Sequence, residues 1–220
     1  ATAQAKGELL TTMMHELRTP LNGMMSMARL LLETELGRDQ RGMVETLLNS
    51  GESLLDLVNY TLDFSRVEAG EFELERLPFD LRVTTNEAGA LLAPLANEKH
   101  LHFECQVHEE VPSRVWGDPG RLRQVLLNLG GNAIRFTERG RVRLAVGRVR
   151  EDEREVTLRF EFQDTGIGMT EEQRGRICQA FQQADTSVAR HCGGTGLGLV
   201  ISSQLVSLMG GTVGVESAPG

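Results

Sequence analysis

Two consecutive stretches of about thirty residues each repeat their apolar side chains every three or four positions, and this double pattern limits the fold before anything else does. In the first, Leu10, Met13, Leu17, Leu21, Met24, Ala28 and Leu31 recur as one buried helix face does; in the second, Met43, Leu47, Ser50, Leu54, Val58, Leu62 and Ser65 do the same. Gly37 stands between them as a stop and turn signal, and Gly70 follows the second. At 1.5 Å per residue each helix is roughly 45 Å long, and a short join makes the pair an antiparallel hairpin. One seam cannot cover Leu30, Leu31, Leu32, Leu47, Leu48, Leu54, Leu55 and Leu57 together. The excess predicts a second copy, a homodimer packed as a four-helix bundle. A helical subdomain packed on its own chain is the competing solution. The methionines Met13, Met14, Met24, Met25, Met27 and Met43 read as core filler.

His15 falls outside the first stripe, so the spacing holds its imidazole toward solvent. Thr19 is four residues on and shares that face. Pro20 has no N–H for the carbonyl of Glu16, and its ring crowds that carbonyl, which predicts a bend just past the histidine. Taken alone, His15 is an ordinary surface histidine.

The pattern changes at Glu71. Glu71 to Glu75 alternates with period two and Pro78 breaks it, so a linker is expected over 71–78, between a helical domain (1–70) and a second domain (79–220). Beyond it the sequence mixes elements. Val83 to Asn97 reads as a helix, and Leu101, Phe103, Cys105 and Val107 alternate as a strand. Asp118 caps a helix with Pro119 at its first position. Arg141 to Val149 and Glu155 to Gln163 are strands. Thr170 opens a short helix, Gly196 another running to Met209, and Thr212 to Glu216 is expected as a last strand. This is an α+β two-layer sandwich, with helices on one face of a mixed sheet.

Three clusters in the second domain carry chemistry. On the helix after Asp118, Leu122, Val125, Leu126, Leu129, Ala133 and Phe136 make the buried stripe. Arg121, Gln124, Asn128, Asn132 and Arg135 form a polar ridge on another face. Neutral amide oxygens suit a Mg²⁺ whose charge phosphates already balance; a solvated helix face is the bland alternative. Gly130-Gly131 within this helix costs up to ~2 kcal/mol relative to alanine, so something should approach closely there. The second cluster is Asp164-Thr165-Gly166-Ile167-Gly168. Asp164 continues the phase of Val156, Leu158, Phe160 and Phe162, which aims its carboxylate at the buried side, where it needs a donor such as an adenine amino group. A plain Asp-Gly turn is the alternative. The third, Gly193-Gly194-Thr195-Gly196-Leu197-Gly198-Leu199, opens a helix, where backbone N–H groups favour phosphate. Neither a GxxxxGK[ST] nor a GxGxxG is present, so this is neither a P-loop nor a dinucleotide fingerprint.

Composition removes other classes. A net charge of -8 with no basic, aromatic-interleaved patch argues against nucleic acid. Cys105, Cys178 and Cys192 are scattered, which suggests reduced cytosolic thiols, neither zinc site nor disulfide framework. A zinc-protease HExxH would need histidine at position 19, where Thr19 stands. No apolar run approaches the ~20 residues of a membrane span, and no signal peptide opens the sequence.

In order and spacing, behind His15-Glu16-Leu17-Arg18-Thr19-Pro20-Leu21, the clusters resemble the transmitter core of hybrid-type sensor histidine kinases from end to end. The resemblance implies an α-helical hairpin, a four-helix bundle in the dimer, followed by an ATP-binding sandwich of the Bergerat type that here lacks its last strand. It implies ATP and Mg²⁺ as cofactors, with His15 taking the phosphoryl group, Glu16 as its acid-base partner, and Thr19 positioning a water for the reverse hydrolysis. Asn132, with Asn128, would hold Mg²⁺; Asp164 would bind adenine. Gly166, Gly168, Gly194, Thr195, Gly196, Leu197 and Gly198 would line the nucleotide, with Arg135 beside it and Phe181 in the F box. The stretch from Phe181 to Gly193 resembles the family's flexible ATP lid. Implied partners are a second copy and the aspartate of a response-regulator receiver domain. The implied location is the cytoplasmic part of an inner-membrane receptor.

Arg135 stands where the family has lysine, but this chain has only Lys6 and Lys99 and uses arginine elsewhere. His191-Cys192 and Ala189 depart from the lid pattern. These departures define the alternative, a weakly active kinase-like regulator that controls another sensor kinase through its hairpin. ATPases of the wider Bergerat group resemble one another in a glutamate on the asparagine helix; here no carboxylate precedes Glu138.

Overall fold

The computed structural model describes residues 2–68, 72–176 and 198–219, and the chain divides into two compact units, 1–73 and 74–220. The first is a helical hairpin of α1 (Thr2–Leu32) and α2 (Arg38–Glu68). Its inner seam consists of Leu21, Met25 and Ala28 against Leu48, with Val44, Leu55 and Leu32 packed beside them. Gly51 lets α2 approach the side chains of Met25 and Leu21. The expected stripe is therefore only half right. Leu21, Ala28 and Val58 are buried, whereas Leu17, Met24, Leu31, Met43, Leu47 and Leu54 are each about half exposed or more. The helices are apolar on two adjacent faces, so the sequence has no single phase, and a stripe drawn through both crosses from one to the other. Arg18 Nη2 donates to Asn59 Oδ1 at 2.6 Å across the hairpin, and Arg29 pairs with Glu52. The α-helix runs on through Pro20.

The second unit is built around α3 (Leu81–Glu98) and α4 (Pro119–Phe136). Each starts at an aspartate cap, Asp80 accepting from the N–H of Val83 and Asp118 from the N–H of Arg121, with Pro119 in the first turn. The mixed sheet has the order β2 (His102–Val107), β4 (Arg141–Glu151), β5 (Val156–Asp164); β2 and β4 are parallel, β4 and β5 antiparallel. Val142, Leu144 and Val146 of β4 are fully buried against Leu81, Ala88, Leu92 and Ala96 of α3 and Leu126, Ala133 and Ile134 of α4. Burying one such leucine is worth ~1.5–3 kcal/mol. The expected two-layer arrangement is the one found.

Three local expectations are corrected. Pro78 does not end a strand: it lies within β1 (Leu77–Asp80), opposite Trp116 of β3 (Arg114–Gly117), in a two-stranded ribbon where a proline is tolerated at an edge. Thr212 to Glu216 forms no strand. Thr212, Val213 and Val215 favour a strand, but the segment is split by Gly214 and leaves Val215 37% exposed, so it has no buried face to hold a ladder. On α4, Ile134 is inside at 4% exposure and Phe136 is outside, with the Arg135 guanidinium 5.5 Å from its ring centre. Two short helices complete the described unit, α5 (Glu171–Arg176) and α6 (Gly198–Leu208). The first opens with a reciprocal cap, in which the Thr170 N–H donates to Gln173 Oε1 and the Gln173 N–H to Thr170 Oγ1. No described helix is long and apolar enough to cross a membrane.

Candidate functional site

In the second unit the site is organised along α4. At its middle Asn128 reaches α6: its Nδ2 donates to Ser202 Oγ at 2.7 Å, and its Oδ1 lies so close to Gly198 that any side chain there would collide with it. Asn132 is one turn further on and half-buried. At the C-terminal end the main-chain oxygen of Phe136 accepts from the Ile167 N–H at 3.3 Å and lies where a side chain on Gly166 would be. Arg135 is half-buried beside it. From Asn128 to Phe136 is roughly 12 Å at 1.5 Å per residue. The helix thus joins the two glycine clusters, the start of α6 at one end and the turn after β5 at the other.

That turn is held from several sides. Asp164 Oδ1 accepts from the Gly166 N–H at 2.9 Å. The sequence phase aims Asp164 at the buried side, but its side chain is exposed: β5 ends there, opposite Val142, beyond the cover of the helices. Thr165 Oγ1 accepts from the Arg141 N–H at 3.0 Å and fills the space beside Gly140, whose φ is +114°. Gly168 has φ +62° and packs directly on the carbonyl of Ala218, while the Met169 N–H donates to Ser217 Oγ. These glycines are needed for the fold whether or not a ligand passes them.

Of the paired glycines in α4, Gly130 is pressed by Leu92 and Phe162, so the close approach comes from α3 and β5. Gly131 has open space beside it. Lys99 Nζ donates to the carbonyls of Ile134 and Arg135 at 3.1 and 2.7 Å and closes the end of α4.

The donor set fits a magnesium nucleotide better than a metal held by protein alone. Among the described residues no group of three His, Cys, Asp or Glu could hold an ion, while α4 offers neutral amide oxygens, which leave the charge to the ligand's phosphates.

In the first unit Glu16 and Thr19 are both exposed, on the turn of α1 that carries the backbone of His15. The side chain of His15, and Phe181, Gly194, Thr195, Gly196 and Leu197 with the lid stretch, lie outside the described residues. Sequence reasoning missed Thr165 and Ser202. Thr165 sits inside a cluster read for its aspartate and glycines. Ser202 is an unremarkable serine whose only signal is its position one turn into the helix after the glycines.

Two family models match the chain: "His Kinase A (phospho-acceptor) domain" over residues 5–70, and "Histidine kinase-, DNA gyrase B-, and HSP90-like ATPase" over 117–220. Fold and site together thus define a phosphoacceptor hairpin followed by an ATPase-type domain. The signal transduction histidine-protein kinase BarA of Escherichia coli K12 is 46% identical over 217 residues, 99% of this chain and 24% of that protein. The sensor histidine kinase GacS of Pseudomonas protegens is 44% identical over 99% of this chain, and the sensory/regulatory protein RpfC of Xanthomonas campestris 45% over 97%. Among solved structures, full-length ShkA in complex with AMPPNP has a TM-score of 0.75 at 42% identity, covering 97% of this chain and 43% of that one. The Acinetobacter baumannii histidine kinase AdeS, at 22% identity over 93% of this chain and 92% of that one, has a TM-score of 0.63 and shares the fold. The chain belongs to the two-component sensor histidine kinases and comprises the kinase core, spanning about a quarter of the length of BarA and GacS.

Proposed function

We propose that this core binds Mg²⁺-ATP along α4, phosphorylates His15 and passes the phosphoryl group to an aspartate of a receiver domain. The observation that carries the reading is α4 itself. Asn128 lies against the start of α6, where helical N–H groups favour phosphate, and Asn132 is one turn along α4. Some 12 Å along, Asp164 and Gly166 close on the helix end, where an adenine amino group would find a carboxylate. Asn132 and Asn128 would hold the Mg²⁺, which would supply charge neutralisation on the phosphates. Gly168 and Arg135, with Gly194, Thr195, Gly196, Leu197 and Phe181 as the family resemblance implies, would complete it.

At the hairpin the neutral imidazole of His15 attacks the γ-phosphorus; a P–N bond forms, the bond to the β,γ-bridging oxygen breaks, and ADP leaves. The imidazole proton goes to Glu16. A neutral imidazole is a good nucleophile; positioning and charge neutralisation do the rest. Thr19 places the water for hydrolysis in the reverse direction. The exposed apolar stripe of the hairpin receives a second copy, and other parts of a longer receptor tie the dimer to the inner membrane on its cytoplasmic side.

The test is incubation with γ-labelled Mg²⁺-ATP. The chain should take up acid-labile label, and His15→Ala should lose all of it while keeping its nucleotide affinity. Thr19→Ala should still label but dephosphorylate a receiver domain more slowly. Full labelling of His15→Ala would end the reading. A wild-type chain that binds ATP and takes no label would favour the regulator that pairs with another kinase.

A further inference from the structure

The carboxamide of Asn128 has two chemically different ends, and the fold gives each its own neighbour. Nδ2 donates to Ser202 Oγ at 2.7 Å, from α4 across to α6. Oδ1 rests against Gly198, the first residue of α6, so tightly that a methyl there would strike it. A serine hydroxyl can give or take a hydrogen bond, so Ser202 alone would accept either end of the amide. The start of α6 breaks the tie, because the positive end of the helix dipole favours the oxygen and disfavours the NH₂ group. Ser202 is one turn inside that helix and only 2% exposed, so water cannot stand in for its hydroxyl.

We infer that Ser202 is the positioning residue for Asn128: it holds the amide nitrogen inward and so fixes the oxygen outward, on the side of the glycine cluster. This rests on reading α4 as the Mg²⁺-nucleotide site. Only an oxygen can serve a hard cation or its water shell; the start of α6 selects that oxygen, and without the bond to Ser202 the carboxamide would no longer be held at that point. The bond also ties the asparagine helix to α6.

The consequence is selective. Without Ser202 the nucleotide still meets the glycines and Asp164, but the contribution of the ion falls. Binding of the non-hydrolysable analogue AMPPNP should therefore be measured with Mg²⁺ and with EDTA. Ser202→Ala should weaken the Mg²⁺ complex about fivefold to tenfold and leave affinity in EDTA within about twofold. Asn128→Ala should show the same loss, and the double variant should bind no more weakly than Asn128→Ala alone, because both changes remove one device. Equal weakening with and without Mg²⁺, or losses that multiply in the double variant, would reduce Ser202 to packing and overturn the role. Asn132→Ala separates the two levels. If it weakens Mg²⁺ binding while Ser202→Ala does not, the site stands and the positioning role falls; if neither it nor Asn128→Ala has any effect, the site reading falls and takes the role with it.

Discussion

Gly130 and Gly131 stand side by side in α4 and meet opposite surroundings. A side chain on Gly130 would drive into Leu92 and Phe162, whereas one on Gly131 would meet open space. Gly130→Ala should cost ~1–3 kcal/mol through overpacking. Gly131→Ala should gain up to ~1 kcal/mol from helix propensity. Thermal denaturation of the two variants without nucleotide checks the opposite signs. The sequence announced that something approaches this glycine pair, yet could not say what, because the neighbours are contributed by α3 and β5, about forty residues before and thirty after by the numbering. Asp164 shows the same limit: its strand phase was readable, but the point where helix cover stops was not. A second residue-scale test concerns Asp152, in the β4–β5 turn. Hydrogen bonds from the N–H groups of Arg154 and Glu155 hold its carboxylate below the ordinary aspartate range, with Arg150 nearby. A lowered folded-state pKa means the turn is supported at and above the ordinary range and loses that support as pH falls through the folded value. Asp152→Ala should speed amide exchange at Arg154 and Glu155 near neutrality and have no effect once the wild-type carboxylate is protonated.

At the scale of elements, α4 is fixed at both ends by side chains remote from its binding face. Asp118 accepts from the Arg121 N–H at 2.9 Å and, through its other oxygen, from the Glu75 N–H at 3.1 Å. The cap therefore also ties down the segment that enters the second unit. Asp118→Ala should cost ~1–2 kcal/mol, and nucleotide affinity should fall with it if α4 is the ridge on which the ligand lies; a thermal melt and a titration of the same sample read both. The cap was legible, since Asp-Pro before an amphipathic run has a local physical meaning. So were α3, β2, β4 and β5, whose periods are strong. The β1–β3 ribbon was not legible, because Pro78 reads as a breaker until its antiparallel partner is known. The opposite error, a strand expected at Thr212 to Glu216, came from alternation without a buried face to reward it.

For the whole molecule, the hairpin carries two apolar faces with different fates. Leu21, Met25, Ala28 and Leu48 are spent within the chain, while Leu17, Met24, Met27, Leu31, Leu47 and Leu54 remain at least 47% exposed. Such a surface calls for a partner, and the proposed second copy uses it. Met24→Glu with Leu47→Glu should give a folded, helical monomer by sedimentation, whereas Leu48→Glu should melt the hairpin itself. If the exposed-face variant still sediments as a dimer, the copies meet elsewhere. The count of leucines revealed the excess; only the fold shows how it divides. Lysine usage has a different consequence at this scale. The chain holds Lys6 and Lys99 alone, and the Lys99 ammonium is occupied by the last carbonyls of α4. An amine-directed fluorophore at Lys99 is thus a built-in gauge: its rate of labelling follows how often the end of the asparagine helix frays, and should drop when a nucleotide holds that helix still.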